Sequence, residues 1–222
     1  MKCALVLVCA GKGERLKSKV DKAFVKIGNL PLFYYSYQVF KGIKGFSQII
    51  VVAKKRYFAF IRRYIKDERL FLTEGGKRRQ DSVYKGLQLV DDGVGYVFVH
   101  DGARPFVTKN LIVKLKKEVL RFGAVVPGVK VSEAVKVVRR ERIKKTLDRS
   151  NIWYIQTPQA FKKNLLIEAY RKFRRVSVYD DAQLVSLLNV PVKVIEGEHL
   201  NIKITYPHDL FLAKAILKIG MH

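Results

Sequence analysis

Three glycine-bearing turns, each followed by cations, are the parts of this sequence best equipped to do chemistry. The first is Cys9-Ala10-Gly11-Lys12-Gly13-Glu14-Arg15, with Lys22 a few residues on. It leaves an apolar run, so its backbone amides can cradle an anion, and its glycines let backbone approach a ligand closely. Arg15 and Lys22 add fixed positive charge. Neither Gly-x-x-x-x-Gly-Lys-Ser/Thr nor Gly-x-Gly-x-x-Gly is present, so an ATPase phosphate loop and a dinucleotide site are both unsupported. The second turn is Gly75-Gly76-Lys77-Arg78-Arg79-Gln80-Asp81-Ser82. Cations at a helix start oppose the helix dipole, which favours anions, and so point to an anionic ligand nearby. The third, His100-Asp101-Gly102-Ala103-Arg104-Pro105, puts a carboxylate at a strand end, where it can hold a divalent cation or a substrate hydroxyl. No His/Cys set has zinc spacing, and His100 reads as a packed or hydrogen-bonding residue. Thr146-Leu147-Asp148-Arg149, Gln156-Thr157-Pro158-Gln159 and Asn201-Ile202-Lys203-Ile204-Thr205 complete the set. The bland alternatives are plain turns with surface cations and, for Lys203, a snorkelling edge-strand lysine.

Positioning such turns takes strands and helices in alternation. Short apolar runs at 5–8, 49–52, 70–72 and 96–99 read as strands, and stretches at 32–40, 57–65 and 82–90 carry apolar residues at helical spacing. Further on, helices are expected near 163–173 and 182–188, strands near 192–195 and 202–204, and a closing helix from Pro207. The alternation predicts an α/β fold, a Rossmann-like, mainly parallel sheet flanked by helices, in one domain spanning 1–222. Ligands bind beyond the carboxyl ends of strands in such sheets, where the polar turns fall.

Residues 134–149 break the rhythm. Val135, Val137 and Val138 precede a charged turn, and Ile143 and Leu147 follow it, which predicts a projecting β-hairpin. An isolated hairpin is marginal in water, so this arm needs a partner, and a second copy of the chain is the simplest one. Residues 136–149 also hold seven basic side chains against two acidic ones.

The chain has 222 residues and a formal charge of +25. That charge permits nucleic-acid, membrane or phosphorylated small-molecule partners, but the cations are interleaved with apolar residues along the whole sequence, as on solvated faces. Cys3 and Cys9 sit too far apart on one extended run to bridge, which suits a reduced, cytoplasmic protein. The first apolar run is too short to span a bilayer and is not followed by a cleavage-site pattern. No membrane partner is expected.

In order along the chain, Ala-Gly-x-Gly-x-Arg, Gly-Gly-x-x-Arg-x-x-Ser, His-Asp-x-Ala-Arg-Pro, Asp-Arg, Gln-Thr-Pro-Gln and Asn-Ile-Lys-Ile-Thr resemble the 2-C-methyl-D-erythritol 4-phosphate cytidylyltransferases of the non-mevalonate isoprenoid pathway. The resemblance implies transfer of CMP from CTP to that sugar-alcohol phosphate, giving 4-diphosphocytidyl-2-C-methyl-D-erythritol and pyrophosphate. It implies that the first loop, with Ala10, Gly11, Gly13, Arg15 and Lys22, binds the triphosphate. Gly76 and Ser82 match positions that recognise cytosine, and Arg79 belongs to the same motif. Asp101, Arg104, Arg149 and Thr157 match the sugar-phosphate site, with Arg149 reaching in from the arm of a homodimer partner. Lys203 matches a lysine on the reacting phosphates. A divalent cation, usually magnesium, accompanies the triphosphate, with Asp101 as the candidate protein ligand. The sequence departs from the family pattern at Cys9, usually alanine, and at Asp21, usually proline. Lys77, Ala134 and Tyr179 also differ, the last two at positions that touch the substrate pocket. Ribitol-5-phosphate cytidylyltransferases share much of the series and are the alternative within this chemistry. A nucleic-acid-binding module is the alternative from another class.

Overall fold

Alternation along the central strands decides how this chain layers. In the computed structural model, which describes residues 1–18 and 20–220, β1 (Cys3–Val8) turns Cys3, Leu5 and Leu7 to one side and Ala4 and Val6 to the other. β4 (Phe46–Ala53) divides likewise, with Ile49 and Val51 on one face and Ile50 and Val52 on the other. Both sets are buried, so both faces of the sheet must be covered. α1 (Leu32–Lys41), α2 (Phe58–Tyr64) and α4 (Lys109–Phe122) cover the first face, through residues such as Phe33, Ile61 and Leu115. α3 (Arg79–Leu87), α5 (Lys163–Phe173) and α6 (Asp181–Ser186) cover the second, through Val83, Leu166 and Leu184.

β5 (Leu70–Glu74), β4, β1 and β6 (Tyr96–Asp101) lie side by side and parallel. The chain leaves β1 toward β4 and β5 and then returns to β1's other flank as β6. That reversal opens a crevice at the carboxyl ends of β1 and β6. Beyond β6 the sheet is mixed. β11 (Gln159–Lys162) runs antiparallel to β6 and to β7 (Ala124–Lys130), and β10 (Trp153–Ile155) runs antiparallel to β7. β12 (Lys193–Glu196) pairs with β7 in parallel. A third, smaller cluster packs α7 (Pro207–Lys218) onto the short hairpin of β2 (Lys26–Ile27) and β3 (Leu30–Pro31) through Ile27, Ala213 and Ile216.

The expected strand at 202–204 does not form. The segment is tied to its surroundings by one backbone bond, Ile204 N–H to the Ala103 carbonyl at 2.9 Å, and by the side chains of buried Ile204 and of Lys203, which pairs with Asp101. With one such backbone bond it follows the 101–104 loop instead of joining a ladder.

The arm forms as expected. β8 (Val135–Arg139) and β9 (Arg142–Leu147) pair antiparallel in a two-stranded sheet of their own. Arg140 and Glu141 turn the chain with both φ angles positive, as the tightest hairpin turns require. Val138 is 55 % and Ile143 64 % exposed, so these two apolar side chains near the arm's tip lack cover within this chain, while Val135, Val137 and Leu147 are half-buried.

The layering makes a stability prediction. Phe98 on β6 is buried and packs edge-on against Phe46 with centroids 5.1 Å apart. Phe98→Ala is expected to cost about 3–5 kcal/mol in urea unfolding. Leu120→Ala, on the exposed side of α4, should stay within about 0.5 kcal/mol of the parent.

Candidate active site

The carboxyl ends of β1, β4, β5 and β6 border a cleft of about 560 Å³, within the usual range for small-molecule sites. Each strand delivers one turn to it. β1 leads into Cys9–Gly11, β4 into Lys54, β5 into Gly76–Arg79, and β6 ends at Asp101, while Lys203 arrives from near the C-terminus. The first two turns touch. A Cβ on Gly75 would lie 2.2 Å from the Cβ of Ala10, so only glycine permits this approach. Gly13 has φ +70, and a Cβ there would meet the Cβ of Lys22 at 2.6 Å. Lys22 therefore packs directly on the loop's backbone.

One carboxylate gathers the cations. Asp101 receives Arg79 Nε on Oδ1 at 3.0 Å and Lys203 Nζ on Oδ2 at 2.6 Å. Burial pushes its carboxyl up, yet Arg79, Lys203 and Arg104 outweigh that and hold it well below the usual carboxylate range. Arg79 is itself held from behind, by Asp181 Oδ2 at 2.8 Å. The hydroxyl of Tyr170 donates to the other oxygen of buried Asp181 at 2.5 Å. A line of alternating charge thus runs from α6 through Arg79 and Asp101 to Lys203.

Below this line lies a neutral network. The backbone N–H of Asp101 donates to Thr157 Oγ1, which faces His100 Nδ1 at 3.1 Å. His100 Nε2 lies 3.1 Å from the Arg104 carbonyl. A carbonyl only accepts, so Nε2 carries the proton and Nδ1 accepts from Thr157. Burial lowers the pKa of His100 to about 4, so the ring is neutral near pH 7. The pair thereby fixes the backbone on either side of Asp101.

Residues 3–219 match the model of the 2-C-methyl-D-erythritol 4-phosphate cytidylyltransferase family. The chain belongs to that family. The cytidylyltransferase of that name from Dictyoglomus thermophilum is 40 % identical over 225 residues, covering 96 % of this chain and 95 % of its own. The one from Geobacillus kaustophilus is 36 % identical over 222 residues, covering 97 % of each. Among solved structures, the 4-diphosphocytidyl-2C-methyl-D-erythritol synthase of Anaerococcus prevotii superposes with a TM-score of 0.88 at 28 % identity, covering 98 % of this chain and 96 % of its own. The Thermus thermophilus cytidylyltransferase gives 0.81 at 32 % identity, with coverage of 96 % and 98 %.

In this cytidylyltransferase the structure unites some of the residues singled out in the sequence and separates others. Ala10, Gly11, Lys22, Gly76, Arg79, Ser82, Asp101 and Lys203 all border the cleft. Gly13 supports Lys22 from outside it. Thr157 lies buried beneath Asp101, and Arg104, outside the cleft lining, donates to the Asn201 carbonyl at 2.7 Å while its charge still acts on Asp101. Arg15 is exposed and lies over the ring of Tyr206, 5.4 Å from its centroid. Arg149, at the foot of the arm, is exposed and bonds the Ser132 carbonyl outside its own chain's cleft. Ala134 and Tyr179 are also exposed, Tyr179 at 95 %, and neither borders the cleft of a single chain. Lys54 and Asp181 escape a reading by motif. Lys54 follows β4 with no glycine turn to mark it, and Asp181 meets Arg79 only through the packing of α6.

Lys22 gives this site a pH dependence. Its burial, with Lys203, Arg15 and Arg104 outweighing Asp101, lowers its pKa from 10.5 to about 8. The cation is present below that value and lost above it. The affinity for inorganic tripolyphosphate, measured by calorimetry, is therefore expected to fall about tenfold between roughly pH 7 and 9, and Lys22→Met should remove that step. Stability moves the opposite way. Between about 8 and 10.5 the unfolded chain binds the extra proton, so Lys22 makes folding more favourable as pH rises through that window.

Proposed function

We propose that this chain transfers CMP from CTP to 2-C-methyl-D-erythritol 4-phosphate, yielding 4-diphosphocytidyl-2-C-methyl-D-erythritol and pyrophosphate. The convergence of Lys22, Arg79 and Lys203 on one cleft at the carboxyl ends of β1 and β6 carries this reading. Family membership over nearly the whole chain, and relatives named for that reaction, support it. A phosphate oxygen of the acceptor attacks the α-phosphorus of CTP. The new P–O bond forms as the bond to the β-phosphate breaks, and pyrophosphate leaves with that electron pair. Both reactants are polyanions, so bringing them together needs cations, and each well-aimed one contributes a few kcal/mol in the transition state. The attacking phosphate is already ionised at neutral pH, so no general base is needed, and catalysis is positioning plus electrostatics.

In this reading Lys22 and the 10–13 backbone take the triphosphate, with Arg15 swinging in from Tyr206. Lys203 serves the reacting phosphates, while Asp101, Arg104 and Thr157 build the acceptor's side. Asp101 is a hard oxygen donor at the cleft, and among the described residues no group of three or more His, Cys, Asp or Glu could hold a metal. Both Asp101 oxygens are engaged by Arg79 and Lys203, so Mg²⁺ would be carried mainly by nucleotide phosphates and water, with Asp101 joining as a ligand only by giving up one of those contacts. When bound, such a cation neutralises charge on the triphosphate.

Base choice falls to the 75–82 turn. Ser82 Oγ accepts from Gly76 N–H at 3.0 Å and donates to the Arg78 carbonyl at 3.2 Å. With its proton spent there, the hydroxyl can only accept from a ligand, which suits the amino group of cytosine and not the carbonyl of uracil. The reading also includes a homodimer in the cytoplasm. The free, buried thiols are compatible with that compartment, and no helix among the described residues is long and apolar enough to cross a membrane. Arg149 stands outside its own cleft on an arm with uncovered apolar side chains, as a residue delivered to a partner's site would.

Two measurements test this. Pyrophosphate release over CTP, UTP, ATP and GTP, each with methylerythritol 4-phosphate and ribitol 5-phosphate, should show CTP with the former ahead by at least about a hundredfold in kcat/KM. Equal rates with UTP would remove base readout by the turn, and a preference for ribitol 5-phosphate would replace the acceptor. Mixing inactive Lys22→Ala with inactive Arg149→Ala under subunit exchange should restore activity, because a heterodimer has one intact site. No recovery despite proven exchange would mean that each chain completes its own.

A further inference from the structure

Asp21, next to Lys22, is the residue whose surroundings the reaction above leaves unexplained. Lys22 lies on a short 3-10 turn, Lys22–Phe24, and Asp21 immediately before it is only 5 % exposed. A carboxylate that deep must be paired. Lys54 Nζ approaches it to 2.9 Å and Arg56 Nη2 to 3.2 Å, and its own backbone N–H donates to the Tyr57 hydroxyl at 3.0 Å. On the far side of Lys22, the Phe24 ring lies flat on Tyr57, with centroids 3.8 Å and planes 5° apart. The residues flanking Lys22 are therefore both tied to the single segment 54–57 that leaves β4. Asp21 has φ −61 and ψ 140, an ordinary extended geometry that many residues adopt, so the backbone does not call for an aspartate. Its carboxylate does the tying.

We propose that Asp21 is a positioning residue for Lys22, its ion pairs with Lys54 and Arg56 fixing the turn that presents the Lys22 ammonium to the reacting phosphates. The proposal rests on the reading of Lys22 as a phosphate-binding cation. Asp21 also draws in the charge of Lys54, which itself borders the cleft, so that Lys54 is held against the wall and the turn cannot drift from it. Misplacement of a reacting contact by about 1 Å can cost up to about a hundredfold in rate. The contribution of Asp21 is thus expected in kcat more than in KM.

The experiment compares wild type, Asp21→Ala, Asp21→Asn, Tyr57→Phe and Lys22→Ala at saturating substrates, with unfolding temperatures measured alongside. Asp21→Ala should lower kcat by about tenfold while KM for CTP stays within about threefold. Asp21→Asn, which keeps the shape but not the charge, should fall between it and wild type. Tyr57→Phe keeps the stacked ring and loses the hydroxyl, and should cost about threefold in kcat, which supplies the test if Asp21→Ala does not fold. Arg56 is the more exposed partner, so its pair with the buried Asp21 is weakened by salt, and the pair with Lys54 is screened less. The ratio of wild-type to Asp21→Ala kcat should therefore shrink only in part as KCl rises to about 1 M, and the loss in kcat at nearly unchanged KM is the readout that a purely structural role would not produce. Wild-type kcat in folded Asp21→Ala, or a loss carried by KM and not by kcat, overturns the proposal. Normal turnover in Lys22→Ala would instead overturn the reading of Lys22 itself, and Asp21 would have nothing to position.

Discussion

The buried carboxylate of Asp101 holds Arg79 and Lys203 where neither would stay unaided. Like charges repel, and the half-buried Lys22 lies close enough to Lys203 for that second cation to disfavour the Lys22 proton. An anion among them turns mutual repulsion into a chain of contacts, and Asp181 extends that chain on the far side of Arg79. Because three elements meet at this point, the end of β6, the start of α3 and the segment after Asn201, the tertiary structure around the cleft is organised by charge as well as by apolar packing. The neutral pair of Thr157 and His100 beneath it adds no charge and fixes the backbone from which Asp101 projects.

The sheet supplies the rest of the geometry. Parallel strands end together, so turns distant in sequence emerge side by side at one edge. Helices on both faces leave that edge as the open one, and the reversal of direction at β1 leaves the crevice there. The cations that neutralise one another's partners therefore come from four separate turns, none of which could form such a site alone.

How legible this was in the sequence varied with the physics of each element. The central strands could be read because they are buried on both faces, which forces continuous apolar runs such as Leu5 to Val8. Of the strands farther out, β5 and β12 were also readable as short apolar runs, but β7, β10 and β11 were not. β7 carries Pro127 and Gly128 within the ladder, two residues that ordinarily signal a turn, and β10 and β11 are only three and four residues long. α4 has a plain stripe of Leu111, Ile112, Leu115 and Val119, which a reading by short apolar runs passes over. At the site, glycine turns located the loops correctly, but motif order said nothing of side-chain direction. Arg15 and Lys22 look alike in sequence, yet one lies on Tyr206 and the other in the cleft. Lys203 shows the converse: its residue type was informative although the strand expected around it is absent.

The contact between Gly75 and Ala10 has a consequence for remodelling this enzyme. The 75–79 turn and the 9–13 loop share a van der Waals surface with no room for a methyl group. Neither can be exchanged for a bulkier counterpart without displacing the other. A variant with a reshaped cleft must therefore be sought by redesigning the two loops together, since a graft of either one alone would push the other out of place.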